Sequence, residues 1–182
     1  WKGENIKDKT IYVYYEAGFG DTIMFSRYLP LLKKQCKKVV FYPQKQLVPL
    51  FVQSDLGIDE LIEGYIPECN MSFDVHCPLL SLPYLLKLKG KKVFHSSDGY
   101  MFANKDLVEK YTQEQFNTDK LKIGIKWQGN TTYDWERVID VNQFKKLFNI
   151  PNTKFYSLQM DEGSEKIKEL GIKTMNYLKY II

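Results

Sequence analysis

The sequence contains 182 residues, of which 44% are hydrophobic, 15% aromatic and 26% charged, and its net charge is +4. This composition is typical of a globular protein and argues against an intrinsically disordered chain. The lysines that carry the positive charge are scattered, and no apolar run approaches ~20 residues, so we expect no nucleic-acid partner and no membrane span.

The three cysteines are Cys36, Cys69 and Cys77, and no CxxC pair occurs. An odd number of cysteines without such a pair disfavours both a disulfide framework and a zinc site. We therefore expect reduced thiols, no bound metal and a cytoplasmic location.

In chain order, the first part of the sequence alternates strand and helix patterns. Residues 10–15 and 38–42 are rich in β-branched and aromatic side chains and predict strands. Residues 21–35 carry an apolar stripe at helical spacing, and Pro30 should kink or interrupt that helix. A short helix at 44–53 and a short strand at 60–62 continue the alternation.

A strand at 73–76, a helix at 79–86 and a polar connecting helix at 105–117 come next. The pattern then restarts, with strands predicted at 122–127, 154–158 and 172–175 and helices at 141–148 and 164–170. Such alternation predicts an α/β fold, with a Rossmann-like parallel sheet flanked by helices. We place one domain at 1–118 and an incomplete second Rossmann-like unit at 119–182.

The segment Glu16-Ala17-Gly18-Phe19-Gly20-Asp21 lies between a predicted strand and a predicted helix. This is the carboxyl end of the strand, where open α/β sheets bind ligands. Its two glycines permit a tight turn and a close approach to a ligand. Asp21 at the first helical turn either caps the helix or serves as a general base. The segment is neither a dinucleotide-binding GxGxxG motif nor a P-loop.

A second polar segment, Trp127-Gln128-Gly129-Asn130-Thr131-Thr132, follows the first strand of the second run and leads to Arg137. Its amides and hydroxyls are suited to a diphosphate that the arginine would neutralise. A polar surface turn with a solvated arginine explains the same pattern equally well.

The third segment contains His76 beside Cys77. Neighbouring residues of a strand point to opposite faces, which argues against a Cys/His catalytic pair. We expect His76 to be a core or cleft-wall residue.

These segments occur in one order along the chain. The order is Trp1-x-Gly3-Glu4, Glu16-x-Gly18-x-Gly20-Asp21-Thr22-Ile23-x-Phe25-x-Arg27-Tyr28, Phe73-Asp74-x-His76-x-Pro78-Leu79-x-Ser81-Leu82-Pro83, Gly124-Ile125-x-Trp127-x-Gly129-Asn130 and Ser157-Leu158-Gln159. It resembles bacterial glycosyltransferases that follow tetratricopeptide repeats. These are similar to the family 9 heptosyltransferases and, more distantly, to O-linked N-acetylglucosamine transferases.

The resemblance implies a GT-B fold, in which an acceptor-side domain, here 1–118, faces a donor-side domain, here begun at 119–182. It implies inverting, metal-independent transfer of a sugar, without a cofactor, in cell-surface polysaccharide or protein glycosylation. The partners would be a nucleotide sugar and a glycan or protein acceptor, with tetratricopeptide repeats upstream. In the heptosyltransferases the aspartate of the Gly-Asp pair is the proposed base, a position that corresponds to Asp21.

The remaining predicted site residues fall into two groups. Those predicted to bind substrate are Glu16, Gly18, Gly20, Arg27, His76 and Ser81. Those predicted to bind donor phosphates are Asn130, Thr131, Arg137 and Gln159.

The sequence also departs from the family pattern. Val138 replaces the serine of an Arg-Ser-Ile-like segment, and an Asp-Thr-Ala-x-x-His-like donor signature has no counterpart before Ile182. We therefore expect a fragment or short form that binds a nucleotide sugar poorly and is inactive alone. One alternative is a non-catalytic binding or scaffold domain of the same fold. A Rossmann dehydrogenase is disfavoured because no acidic residue follows the second strand.

Overall fold

The computed structural model describes residues 1–63, 72–90, 99–129, 136, 138–159, 162–166 and 176–177. Three predicted donor-phosphate ligands, Asn130, Thr131 and Arg137, lie outside these residues, as does Cys69. The predicted helix at 164–170 is described only to Lys166, and the predicted strand at 172–175 is outside the described residues.

A four-stranded parallel sheet organises the first part of the chain. Its strands are β1 (Ile6–Tyr14), β2 (Cys36–Tyr42), β3 (Glu60–Leu61) and β4 (Val75–Pro78). Their order is β3-β2-β1-β4, and every pair is parallel. The strands were predicted in these four places, although β4 begins two residues later than predicted because residues 72–74 precede the pairing with β1.

The long helix predicted after β1 is two shorter helices. Helix α1 covers Phe19–Ser26 and α2 covers Leu29–Lys33. Pro30 lies in the first turn of α2, where its missing N–H has no helical partner to lose. The predicted interruption by Pro30 is therefore confirmed.

Two further prolines also begin helices. A 3₁₀ turn at Lys45–Leu47 leads into α3 (Val48–Val52), and a 3₁₀ turn at Leu79–Ser81 leads into α4 (Leu82–Leu85). In both α-helices proline occupies one of the first two positions. The two predicted helices are thus each divided into a tight turn and a short α-helix.

The first sheet is buried on both faces. On the helix-covered face, Ile11 and Val13 of β1 pack with Val39 and Phe41 of β2 and with Leu29 of α2. A smaller cluster on the opposite face joins Tyr12, Val40 and Ile62. Burial on both faces is the usual condition of a parallel sheet and explains its nearly continuous apolar strands.

The second part of the chain forms a separate parallel sheet. Its order is β5 (Leu121–Ile125), β6 (Thr153–Ser157) and β7 (Asn176–Tyr177). Helix α5 (Lys105–Glu114) precedes it and buries none of its residues. Between β5 and β6, Val141–Asn149 forms a 3₁₀ helix that was predicted as an α-helix.

The 3₁₀ geometry has a local physical basis. Val141, Asn142, Phe144 and Asn149 are among the weaker α-helix formers. The carboxylate of Asp140 accepts a hydrogen bond from the Asn142 amide and caps the segment.

The chain forms two compact units, Trp1–Asn104 and Lys105–Ile181. Helix α5 belongs to the second unit, whereas the domain boundary predicted from the sequence follows that helix. The predicted α/β class with a Rossmann-like parallel sheet is confirmed. Within the described part of the chain, no helix has the length and apolar character needed to cross a bilayer.

Candidate active site

The strand order of the first sheet places a change of winding direction between β1 and β4. From β1 the chain first winds outward to β2 and β3 and then returns to the other side of β1 as β4. Such a topological switch point is where open parallel sheets bind ligands.

The turn between β1 and α1 is attached to both neighbouring strand ends. Gln44 follows β2, and its side-chain Nε2 donates a hydrogen bond to the Ala17 carbonyl at 2.7 Å. The Glu16 carboxylate accepts a hydrogen bond from the Leu80 amide, after β4, at 3.1 Å. These two bonds position the turn over the switch point.

Sequence reasoning missed the role of Gln44. Its side chain is 8% exposed, which is low for a glutamine, and its bond crosses 27 positions of the sequence. The available signal was a polar residue placed directly after a buried strand, at the edge where ligands bind.

Asp21 occupies the third position of α1 and is half-buried. Its Oδ2 accepts a hydrogen bond from the Gly18 amide at 3.1 Å, so the predicted capping role is confirmed. Gly18 has no side chain to return a bond, so only one half of a capping box is present. Among the described residues, no donor is bonded to the second carboxylate oxygen, Oδ1, which leaves a proton acceptor available.

The glycines of this turn are not required by backbone strain. Gly18 adopts φ −70° and ψ 172°, which any residue can adopt, and Gly20 lies within α1. The turn therefore does not use the conformational freedom that its two glycines permit. A Cβ atom at Gly20 would meet nothing within 4 Å, so the space beside Asp21 is open. The predicted close approach of a ligand remains a prediction.

Arg27 lies at the opposite end of α1 from the turn. It is the C-terminal capping residue, about 9 Å along the helix axis from Asp21. Its guanidinium carbon lies 4.8 Å from the centre of the Tyr100 ring, and the Tyr100 hydroxyl donates to the Ile23 carbonyl. The structure thus places Arg27 in a cation–π contact on the flank of α1.

His76 and Cys77 diverge, as the strand geometry predicted. Cys77 is 1% exposed and belongs to the core beneath α1, whereas His76 is exposed on the other face of β4. The His76 ring lies 6.0 Å from that of Tyr14. A core histidine is therefore excluded, and the cleft-wall role remains a prediction. Ser81 ends the 3₁₀ turn after β4 and is half-buried.

In the second unit, the Gln159 side chain forms hydrogen bonds with the loops that follow β5 and β6. Its Oε1 accepts hydrogen bonds from the Trp127 amide at 3.4 Å and the Gln128 amide at 3.2 Å. Its Nε2 donates to the Glu162 carbonyl at 2.8 Å. At 5% exposure, with its amide group bonded to three backbone groups, Gln159 supports the loops. The predicted contact with donor phosphates remains a prediction.

Within the described residues, no three His, Cys, Asp or Glu side chains converge as a metal site would require.

Known proteins resemble this chain in fold and not in sequence. No family model matches the sequence. No curated protein matches it either. Among solved structures, the fold is similar to a crystal structure described as the glycosyl transferase family 9 from Veillonella parvula DSM 2008. The TM-score is 0.69 at 12% identity, and the match covers 99% of this chain and 72% of that chain. At this identity the likeness establishes the fold: a Rossmann-like α/β architecture shared with that protein.

Proposed function

We propose that this chain is part of an inverting glycosyltransferase that moves a sugar from a nucleotide sugar to an acceptor hydroxyl. The first unit would bind the acceptor, a glycan or a protein, and the second would bind the donor. The proposal starts from the fold that this chain shares with a protein described as a family 9 glycosyl transferase. Tetratricopeptide repeats upstream and a cytoplasmic location belong to the same proposal.

The observation that carries the proposal is the position of the Asp21 carboxylate. It lies at the start of α1, next to the switch point between β1 and β4, in a turn whose residues 16–20 are all exposed. One oxygen is held by the Gly18 amide, which fixes the orientation of the second oxygen. A fixed carboxylate beside open space is what a general base requires.

The reaction would be a single displacement. The acceptor oxygen attacks the anomeric carbon of the donor while its proton passes to Oδ1 of Asp21. The bond from the anomeric carbon to the nucleoside diphosphate breaks, and the diphosphate leaves with the electron pair. Because the new bond forms on the face opposite the old one, the anomeric configuration inverts. Cationic side chains of the second unit, Arg137 among them, would balance the charge of the leaving group without a metal.

Replacing Asp21 tests the proposal. Asp21→Asn keeps an oxygen that can accept from the Gly18 amide, so the fold should remain while the base is lost. In the full-length enzyme, we expect transfer to fall by about 10²–10⁴-fold. The measurement is nucleotide release and glycosylated product over a panel of nucleotide sugars and acceptors, with the thermal midpoint recorded for each variant.

Asp8→Asn is the matched control because Asp8 is an exposed aspartate of β1, far along the strand from the turn. It should leave the transfer rate unchanged. Activity of Asp21→Asn within a few-fold of wild type would remove Asp21 from the role of base. Nucleotide-sugar binding without turnover under any condition would favour the alternative, a non-catalytic binding domain.

A further inference from the structure

A close contact at Gly163 fixes the side chain of Gln128. Gly163 adopts φ +86°, which residues with a side chain rarely adopt. A Cβ atom there would come within 2.6 Å of Gln128 Nε2 and 2.5 Å of Gln128 Oε1. The position therefore excludes a side chain for two independent reasons, and the missing side chain leaves the room that the Gln128 amide occupies.

Hydrogen bonds fix the orientation of that amide. Gln128 is 3% exposed, and its Nε2 donates to the Glu162 carbonyl at 3.0 Å. The same carbonyl accepts from Gln159, which also holds the Gln128 main-chain amide. With its nitrogen engaged in this way, Gln128 must direct Oε1 away from the Glu162 carbonyl.

Lys166 meets that oxygen. Its ammonium donates to Gln128 Oε1 at 3.1 Å, and the residue is half-buried. In the first unit, Lys33 and Lys38 pair with the carboxylates of Asp59 and Glu60. No carboxylate lies within ion-pair distance of Lys166 in the part of the chain that the structure describes. A neutral oxygen thus holds the ammonium in place, and the carboxylate that interacts with its charge, Asp140, does so from beyond ion-pair distance.

Lys166 lies where parallel sheets bind ligands. Gln128 follows β5, and Gln159 and Lys166 follow β6, so the group lies at the carboxyl edge of the second parallel sheet. We propose that Lys166, oriented by Gln128, binds the diphosphate of the nucleotide-sugar donor. The assignment rests on the proposed function, since that function supplies a diphosphate to this unit.

The chemistry favours a phosphate over a neutral ligand. An ammonium carries three donors and a compact charge, and it forms charge-assisted bonds to phosphate oxygens. The bond to Gln128 uses one donor and leaves two. Holding the side chain in advance also lowers the conformational entropy lost when the ligand binds.

Inorganic pyrophosphate, ADP and adenosine are the probes, because together they separate the diphosphate from the nucleoside. Each is titrated into the ¹⁵N-labelled full chain and followed by NMR. The amide signals of Gly129 and Gly163 should move with pyrophosphate and ADP. We expect Lys166→Gln to weaken the binding of both by about 10-fold or more and to leave adenosine binding unchanged.

Lys122→Gln is the matched control, since Lys122 is an exposed lysine of the same unit, on β5. It should bind every probe as the wild type does. A general effect of net charge would weaken pyrophosphate equally in both variants, and that result would overturn the assignment.

A second pair of variants tests the contact at Gly163. Gly163→Ala should displace the Gln128 amide and weaken pyrophosphate binding although no cation is removed. Gly99→Ala should have no effect, because a Cβ atom at Gly99 meets nothing within 4 Å. Unchanged pyrophosphate binding in a folded Gly163→Ala protein would exclude the orienting role of Gln128.

The outcomes also separate this inference from the proposed function. Sugar transfer by the wild type, with equal pyrophosphate affinity in Lys166→Gln, would overturn the role of Lys166 and leave the function intact. Pyrophosphate binding that depends on Lys166, without transfer from any nucleotide sugar, would retain the anion site and remove the function. Failure of the wild type to bind pyrophosphate or ADP would overturn the anion site.

Discussion

Asp21 has an observed role as a helix cap and a proposed role as a general base, and the two at first compete for one side chain. A carboxylate has two oxygens and about four lone pairs. The bond from the Gly18 amide uses Oδ2 and stabilises the start of α1, and the same bond fixes the direction of Oδ1. Capping therefore supports the proposed base, because a base must be held in place before it can remove a proton.

The two described cysteines, Cys36 and Cys77, are both buried. Burial raises the pKa of Cys77 to about 12 and that of Cys36 to about 11. Both thiols are free, and their residues belong to the core of the first unit. The thiolate is the reactive form, so both groups should be inert near neutral pH.

We predict that Cys36 and Cys77 react with a thiol reagent near pH 8 only when the protein opens. Raising the pKa of Cys36 from 9.0 to about 11 lowers its thiolate fraction about 100-fold, and the pKa of about 12 lowers that of Cys77 further. Burial also slows access of the reagent. The measurement is the absorbance of the Ellman reagent on a Cys69→Ser variant, with and without guanidinium. Two thiols should react at once in guanidinium. Fast reaction of either thiol in buffer would contradict the burial.

Contacts between residues close in the sequence could be predicted, whereas contacts between distant residues could not. The turn at Asp21 could be found because strand, glycines and carboxylate are adjacent in the sequence. The bond from Gln44 to Ala17 could not, because it joins two loops that only the sheet brings together. The same holds for the Gln128 to Lys166 bond, whose partners are 38 positions apart.

At the scale of elements, α2 and β2 are joined by one carboxylate. Asp59 accepts hydrogen bonds from the Lys33 ammonium, at 2.8 and 2.7 Å, and from the Val39 amide at 2.7 Å. Burial alone would raise the pKa of Asp59, but these hydrogen bonds outweigh it and lower the pKa below its ordinary value. A lowered pKa means that the ionised carboxylate stabilises the folded state.

We predict that Asp59→Asn lowers the free energy of unfolding by about 1 kcal/mol near neutral pH, since the partly exposed site is screened by solvent. The stabilisation is present above the unfolded-state pKa and is lost as the pH falls through the lower folded-state pKa. Urea unfolding at pH 7, and again below the ordinary aspartate pKa of about 4, measures it.

Asp55→Asn, at an exposed aspartate nearby, should have no effect at either pH. A difference between Asp59→Asn and wild type that persists in acid would show that the charge of Asp59 is not its cause.

Elements whose ends are marked by local residues agree best with the sequence prediction. Pro30 marked the break between α1 and α2, and a β-branched run marked the end of β2. The start of β1 was missed, since the strand begins at Ile6 and the β-branched run only at Thr10. The 3₁₀ form of Val141–Asn149 was missed because apolar spacing alone does not separate it from an α-helix. The start of β4 was missed because pairing with β1, a distant segment, decides it.

At the scale of the whole molecule, the main buried clusters of the two units differ in size among the residues that the structure describes. The first contains sixteen buried residues in its main cluster, whereas that of the second is built on Ile125, Trp127, Val141 and Phe155. Stability grows with the apolar area removed from water, so the two units should differ in local stability.

We predict that the amides of β1 and β2 exchange hydrogen most slowly, and that those of β5 and β6 exchange earlier. Hydrogen exchange followed by mass spectrometry on the intact chain measures this order. Trp127→Ala should accelerate exchange in β5 and β6 and leave β1 and β2 unchanged. Equal protection of both sheets, or a loss that spreads to β1, would show that the chain opens as one cooperative unit.

The order β3-β2-β1-β4 has a consequence for how such a protein diverges. The switch point at its carboxyl edge is produced by the route of the chain, which turns back beside β1, and no particular side chain is needed to form it. A protein of similar fold is only 12% identical to this chain, so the fold tolerates different residues at most positions. Residues at the switch point can therefore vary between proteins of this fold, and new chemistry can arise there without a new architecture.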